Sequence, residues 1–184
     1  LITTTDYLSN ASQVRSPRIK IDELIRQDLQ DAEQAFSESA DQAGAVRPGL
    51  SAVHFLQARY FLFQKDWTNA LKAANEVLNI PNYSLCPNLD QVFLKGSPEA
   101  IWQLMPVAPG ANTWDGFYYI LFSSPSNVAL SPSLLSTFEP GDLRRSKWID
   151  SISDNGTDYF FPDKYKLKRG VNLLEYQVVF RLSE

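Results

Sequence analysis

Ala58-Arg59-Tyr60-Phe61-Leu62-Phe63-Gln64-Lys65-Asp66-Trp67 is the stretch on which the reading of the fold turns. Upstream of Gln64 the chain is apolar nearly all round, through Ala52, Val53, Phe55, Leu56, Ala58, Tyr60, Phe61, Leu62 and Phe63. That predicts a helix over residues 50–64 that neighbours must cover. Gln64-Lys65-Asp66 is a short polar turn, and Asp66 suits the cap of a following helix over residues 67–78. The stripe of that helix is Ala70, Leu71, Ala74, Val77 and Leu78, and Pro81 stops its extension. Small Ala58 and Ala70 let two antiparallel helices approach, with Phe61 and Trp67 filling the flanking space. Trp67 is therefore expected in the core.

Working outward, residues 17–39 carry Ile21, Leu24, Ile25, Leu29, Ala32, Ala35 and Phe36 at helical spacing, opposite Asp22, Glu23, Gln27, Asp28 and Glu33. Ser16 is the expected cap and Pro17 fits the first turn. A polar loop then ends in Arg47-Pro48-Gly49. The pair of helices around Lys65 resembles a tetratricopeptide-type helical hairpin. No second copy follows at the repeat period, which argues against a free-standing superhelical peptide receptor.

Beyond Pro87 the character changes. Residues 100–138 hold one charged residue, Asp115, beside Trp102, Trp114, Phe117, Tyr118, Tyr119, Phe122 and Phe138. Pro106, Pro109, Pro125 and Pro132, with Gly110 and Gly116, break any membrane-spanning helix, so an irregular aromatic loop is expected. Ser131-Pro132 opens a short helix through Phe138, which Pro140-Gly141 ends, and residues 142–146 form a charged turn or short helix. Residues 148–152 read as a strand, Asp154-Asn155-Gly156 as a turn, and 159–167 as a returning strand interrupted at Pro162. An amphipathic run begins near Tyr176. The class is mainly α with a minor strand component. A helical part spans about residues 17–80, and a loop-rich, short-strand part about 81–184.

Composition bounds the chemistry. The chain of 184 residues is 44% hydrophobic and 21% charged, as a folded domain is and a disordered chain is not. A net charge of -4 leaves no electrostatic footprint for nucleic acid. One cysteine excludes a disulfide framework and a cysteine zinc site, and one histidine disfavours His-rich metal sites and His-based triads. No cofactor fingerprint or nucleophile motif is present. Aromatic residues reach 12%, an excess that suits flat binding surfaces. The chain opens without Met, basic n-region or apolar h-region, and closes inside the amphipathic run. Both ends are expected to be those of a piece of a longer protein.

A set of phrases runs in order along the chain. Thr3-Thr4-Thr5-Asp6-Tyr7, Arg15-Ser16 and the helix from Ile21 to Ala32 come first. The Ala58-to-Trp67 phrase with Ala70, Ala74 and Val77-Leu78, then Tyr83-Ser84-Leu85, follows. Next are Ser97-Pro98-Glu99-Ala100-Ile101-Trp102 and the stretch from Leu130-Ser131-Pro132-Ser133-Leu134 to Gly141-Asp142-Leu143-Arg144. Lys164-Tyr165-Lys166 and Glu175 to Glu184 close the set. In this order the phrases resemble the SusD/RagB family of surface nutrient-binding lipoproteins of Bacteroidetes-type bacteria. Phe55-Leu56-Gln57 departs from the family's smaller residues and leucines.

The resemblance implies a SusD-like helical fold and a non-enzymatic binder of polysaccharide or oligosaccharide. Such a protein sits on the extracellular face of the outer membrane and passes ligand to a SusC-like TonB-dependent transporter. The family begins at a lipidated cysteine, which mid-chain Cys86 is not, so contact with membrane would come through an anchor elsewhere. The resemblance implies no cofactor and no nucleic-acid partner. A scaffold for protein or peptide contact is the second function class.

Sugar binding uses aromatic faces against the apolar CH face of a pyranose, with polar groups for its hydroxyls. Asn112, Trp114, Asp115, Tyr118 and Tyr119 form the best such cluster, on a loop bounded by Gly and Pro. Trp102 reads as core, and Trp148 admits either role. His54, beside Phe55, reads as a buried or edge histidine making one hydrogen bond. Asp115 and Asp142 are a poor glycosidase pair, since Asp142 before Leu143-Arg144 suits a cap or a structural ion pair.

Overall fold

In the computed structural model of the chain, residues 2, 4–37, 44–107, 110, 112–126, 128–170 and 174–184 are described. The expected helix end at Ser39, the Thr3 of the N-terminal phrase and the helix breaker Pro109 lie outside the described residues.

A short helix, α1 (Tyr7–Ala11), is capped by Asp6, whose carboxylate accepts from the Leu8 and Ser9 amides. The long amphipathic helix α2 (Arg18–Phe36) follows. Pro17 stands at its cap position and makes no side-chain cap bond itself. The fixed φ of proline presets the helix entry. Helix α2 lies on α3 (Leu50–Phe63), where Gln57 Nε2 donates to Glu33 Oε2 at 2.7 Å and Gln64 Nε2 to Asp22 Oδ1 at 3.0 Å.

The expected hairpin is present. Helix α3 turns at Lys65, which takes a φ of 63°, into α4 (Trp67–Leu78), and Asp66 Oδ1 accepts from the Asn69 amide at 3.2 Å. The pair makes the most extensive helix contact in the chain. The buried face of α4 is Ala70, Ala73 and Val77, so the stripe runs one residue aside from that expected at Ala74. Trp67, expected in the core, is 62% exposed and shares the outer side of α4 with exposed Leu71 and Leu78, away from the buried Ala70, Ala73 and Val77 face. Only the first half of α3, Ser51 to Phe55, is buried; Leu56, Leu62 and Phe63 are exposed rather than covered.

The core lies where this hairpin meets a two-stranded antiparallel sheet of β1 (Ala100–Leu104) and β4 (Gln177–Arg181). The amphipathic run at the chain's end is thus a strand, with Trp102 opposite Phe180 in register. Phe55 stacks on Phe180 with ring centroids 4.6 Å apart, and Ala52, Val77, Tyr83 and Ile101 complete the cluster. Burial of one such ring contributes roughly 2–3 kcal/mol. Trp102 is half-buried and edge-on to Phe180, the core role expected of it. Glu99, buried at the start of the sheet, accepts from the Cys86 amide at 3.1 Å and the Ser183 hydroxyl at 2.6 Å. On the outer edge of β1 the Gly44 amide donates to the Ala100 carbonyl at 2.6 Å. A Cβ on Gly44 would stand 2.5 Å from Gly96 Cα, so this crossing requires glycine.

A second hairpin joins β2 (Ile149–Asp154) to β3 (Thr157–Pro162) through Asn155 and Gly156, both at positive φ, the two-residue turn that the sequence implies. Trp148 is structural: its indole donates to the Leu89 carbonyl at 3.1 Å and its ring meets Phe93 edge-on. Phe93, Val92, Cys86 and buried Tyr165 form a second cluster there. The chain is mainly helical with a few short strands.

Candidate functional site

Residues 112–119, expected as irregular loop, contain a helix, α5 (Trp114–Tyr119). Its aromatics and Gly116 have modest helix propensity, so it depends on its surroundings. Thr113 caps it, its hydroxyl accepting from the Gly116 amide at 3.1 Å. Gly116 lets the helix sit directly on the chain at Leu167: a Cβ there would meet the Leu167 carbonyl oxygen at 2.6 Å.

Asn112 anchors the entry to this helix. It is 9% exposed, and its Nδ2 donates to the Leu167 carbonyl at 2.6 Å and to Glu175 Oε2 at 2.7 Å. Both partners are acceptors, so the amide orientation is fixed and Oδ1 faces elsewhere. Buried Glu175 also accepts from the Lys166 and Leu167 amides at 2.6 and 3.1 Å. Asp115 is held by an ion pair to Lys164 at 2.9 Å. Of the expected site residues, Asn112 and Asp115 thus brace the helix.

Trp114, Tyr118 and Tyr119 are its exposed residues, at 68%, 54% and 38%. Trp114 and Tyr118 are one helical turn apart, with centroids at 5.5 Å and planes inclined by 20°. Phe117 meets both edge-on, at 6.1 and 5.3 Å, which ties the pair down. Exposed parallel rings on a braced helix form a flat, pre-ordered surface that loses little entropy on contact with a ligand.

Beside Trp114 opens a cleft of about 750 Å3 walled by Leu104, Met105, Pro106 and Phe117, with Asn112, Gln177 and Arg169 as polar members. Among the described residues, Asn112 Oδ1 and Gln177 Oε1 are buried without a hydrogen-bond partner. A mainly apolar wall with a few convergent polar groups is the usual make-up of a small-molecule site. Among the described residues, Asp115 and Asp142, the two carboxylates weighed as a pair, are each engaged elsewhere. Asp115 is matched by Lys164, and Asp142 is the cap of α7 (Leu143–Lys147) and pairs with Arg144 at 2.6 Å. The Asp142 carboxyl is held below its usual range, first by the Arg144 side-chain bond and then by the Arg144 amide. Ser131 caps the short α6 (Pro132–Leu135), which stops before the expected Phe138. His54 is buried, with Nε2 at 3.7 Å from Glu33 and, among the described residues, no partner at Nδ1; the single hydrogen bond expected of it is replaced by this longer contact.

Arg169, Gln177 and Met105 were not singled out in the sequence. The last two stand on or next to strands whose pairing joins distant segments, and no local motif marks Arg169. One signal for α5 was available: Thr113 followed by Asp115 is a helix-start pattern.

No family model and no curated protein matches the sequence. Solved structures do. A SusD-like carbohydrate-binding protein from Bacteroides vulgatus superposes at a TM-score of 0.70 with 18% identity, over 98% of this chain and 40% of its own. A SusD superfamily protein from Bacteroides fragilis gives 0.73 with 15% identity, over 92% and 46%. Surface glycan-binding protein A from Bacteroides fluxus gives 0.60 with 21% identity, over 88% and 44%. The fold is therefore SusD-like, as the ordered phrases imply, and the chain spans less than half the length of each of these proteins.

Proposed function

We propose that this chain is part of a SusD/RagB-family glycan-binding protein of the cell surface, acting by binding rather than by catalysis. The observation that carries this reading is the exposed parallel pair Trp114 and Tyr118 on a braced helix at the rim of the cleft. Their faces suit the CH surface of a pyranose, and Tyr119 extends the surface. The names of the structural neighbours support the same ligand class. On this reading the protein is held by a lipid anchor on the extracellular face of the outer membrane. It delivers oligosaccharide to a SusC-like TonB-dependent transporter. A glycan array probed with the full-length protein, followed by calorimetry of the hits, tests the reading. Saturable binding of one glycan class is expected, and no binding to any polysaccharide refutes it.

The exposed apolar side of the hairpin, Leu62, Phe63, Trp67 and Leu71, favours a second role in protein contact. If contact there is the whole function, Trp114→Ala and Tyr118→Ala leave uptake intact while substitutions on the hairpin abolish complex formation.

A further inference from the structure

The cleft beside Trp114 carries a charge of one sign. Among the described residues Arg169 is the one ionised side chain in its wall, in a chain of net charge -4. Its guanidinium lies 5.3 Å from the Phe117 ring centroid, on the ring that fastens Trp114 and Tyr118 together. No ion pair to Arg169 is formed among the described residues. The nearby carboxylates are engaged elsewhere: Asp115 with Lys164 at 2.9 Å, and Glu175 with the Asn112 amide and two backbone amides. The neighbouring cation, Lys168, donates to the Ile120 carbonyl at 2.7 Å and lies over Phe122, so it does not compete for an anion in the cleft.

A guanidinium stacked on an aromatic ring is oriented in two dimensions and keeps its outer N–H fork free. That fork matches a carboxylate with two parallel hydrogen bonds. A ligand that meets both this fork and the Trp114 ring has a carboxylate to accept and an apolar ring face to stack. A neutral sugar leaves the Arg169 fork to water. We infer that the cleft selects acidic oligosaccharides, with the carboxylate of a uronic or nonulosonic acid residue on Arg169 and the ring face on Trp114. This inference rests on the glycan-binding reading and names its ligand class.

The test is calorimetric titration of the full-length protein with polygalacturonate, alginate, chondroitin and sialyllactose, each beside its carboxyl-reduced counterpart. Reduction turns the carboxylate into a hydroxymethyl group and leaves the ring hydroxyls in place. At least one acidic member should bind about tenfold or more tighter than its reduced form, the usual scale of a charge-assisted pair. Arg169→Gln should erase that difference by weakening the acidic ligand alone, and Arg169→Lys should restore part of it. Equal binding of acidic and reduced forms, or an Arg169→Gln variant that weakens both alike, overturns the inference while leaving glycan binding standing. If no member of either series binds, and the array finds no glycan, the inference falls together with the reading beneath it.

Discussion

Replacing Asn112 by Asp changes one atom pair and inverts its hydrogen-bonding sense. The Nδ2 that donates at 2.6 Å to the Leu167 carbonyl and at 2.7 Å to Glu175 becomes an oxygen facing two oxygens. One neutral bond, worth about 1 kcal/mol, and one bond to a charged group, worth about 2 kcal/mol, are lost. A second carboxylate is also buried against Glu175, itself 2% exposed, so the sum is roughly 3–5 kcal/mol at neutral pH. A domain of this size loses roughly 2–4 °C of melting temperature per kcal/mol, so a fall of about 6–20 °C is expected. The pH dependence has a definite sign. Glu175 and burial both raise the folded-state pKa of the new carboxyl. The penalty is therefore full above that pKa and shrinks as pH falls, when a shared proton lets one carboxyl donate to the other. Urea denaturation of variant and parent, followed by tryptophan fluorescence at about pH 7 and about pH 4.5, reads both effects. A variant within about 0.5 kcal/mol of the parent at neutral pH would refute this bracing role of Asn112, as would a penalty that stays constant into acid.

Burial raises the Tyr165 phenol above its ordinary range, against a smaller opposing pull from the Val178 amide that donates to it at 2.8 Å. The folded state keeps this proton where the unfolded chain loses it, so stability is full below about pH 10 and falls as pH rises beyond. Tyr165→Phe should remove that slope in urea midpoints taken between about pH 8 and pH 10.5, at a cost of about 1 kcal/mol at neutral pH; an unchanged slope assigns it elsewhere. Gly116→Ala, whose Cβ would stand 2.6 Å from the Leu167 carbonyl oxygen, should cost about 2 kcal/mol and weaken glycan binding by displacing α5. Unchanged melting and affinity would show that α5 does not rest there. Lys65→Gly should stabilise by up to roughly 1 kcal/mol, since Lys65 sits at a φ of 63°. A lower urea midpoint would mean that the Lys65 side chain contributes more than its backbone strain costs.

The parts of the fold that were readable from residues are those with local causes. The α3–α4 hairpin announces itself through Ala58, Ala70 and the Asp66 cap, all within a few turns of one another. The β2–β3 hairpin does so through Asn155-Gly156. The β1–β4 pairing sets Trp102 opposite Phe180, and nothing near either residue encodes so distant a register. Trp67 falls outside the core because the packed face of α4 is the Ala70, Ala73 and Val77 side, and residue size alone does not say which side of a helix its neighbour covers. The aromatic cluster was found by residue type alone, whereas its division into exposed rings and bracing groups depends on Glu175 and Lys164, far along the chain. Helix α5 escaped because its aromatic residues have little helix preference, and its support comes from Leu167.

The central claim is that sugar rests on the Trp114 face, and calorimetry of Trp114→Ala with the glycan selected on the array tests it most directly. Covering roughly 100 Å2 of indole contributes about 2 kcal/mol, so the variant should bind about thirtyfold more weakly. Its melting temperature should not change, because Trp114 is 68% exposed. Undiminished affinity in the Trp114→Ala protein would contradict the account.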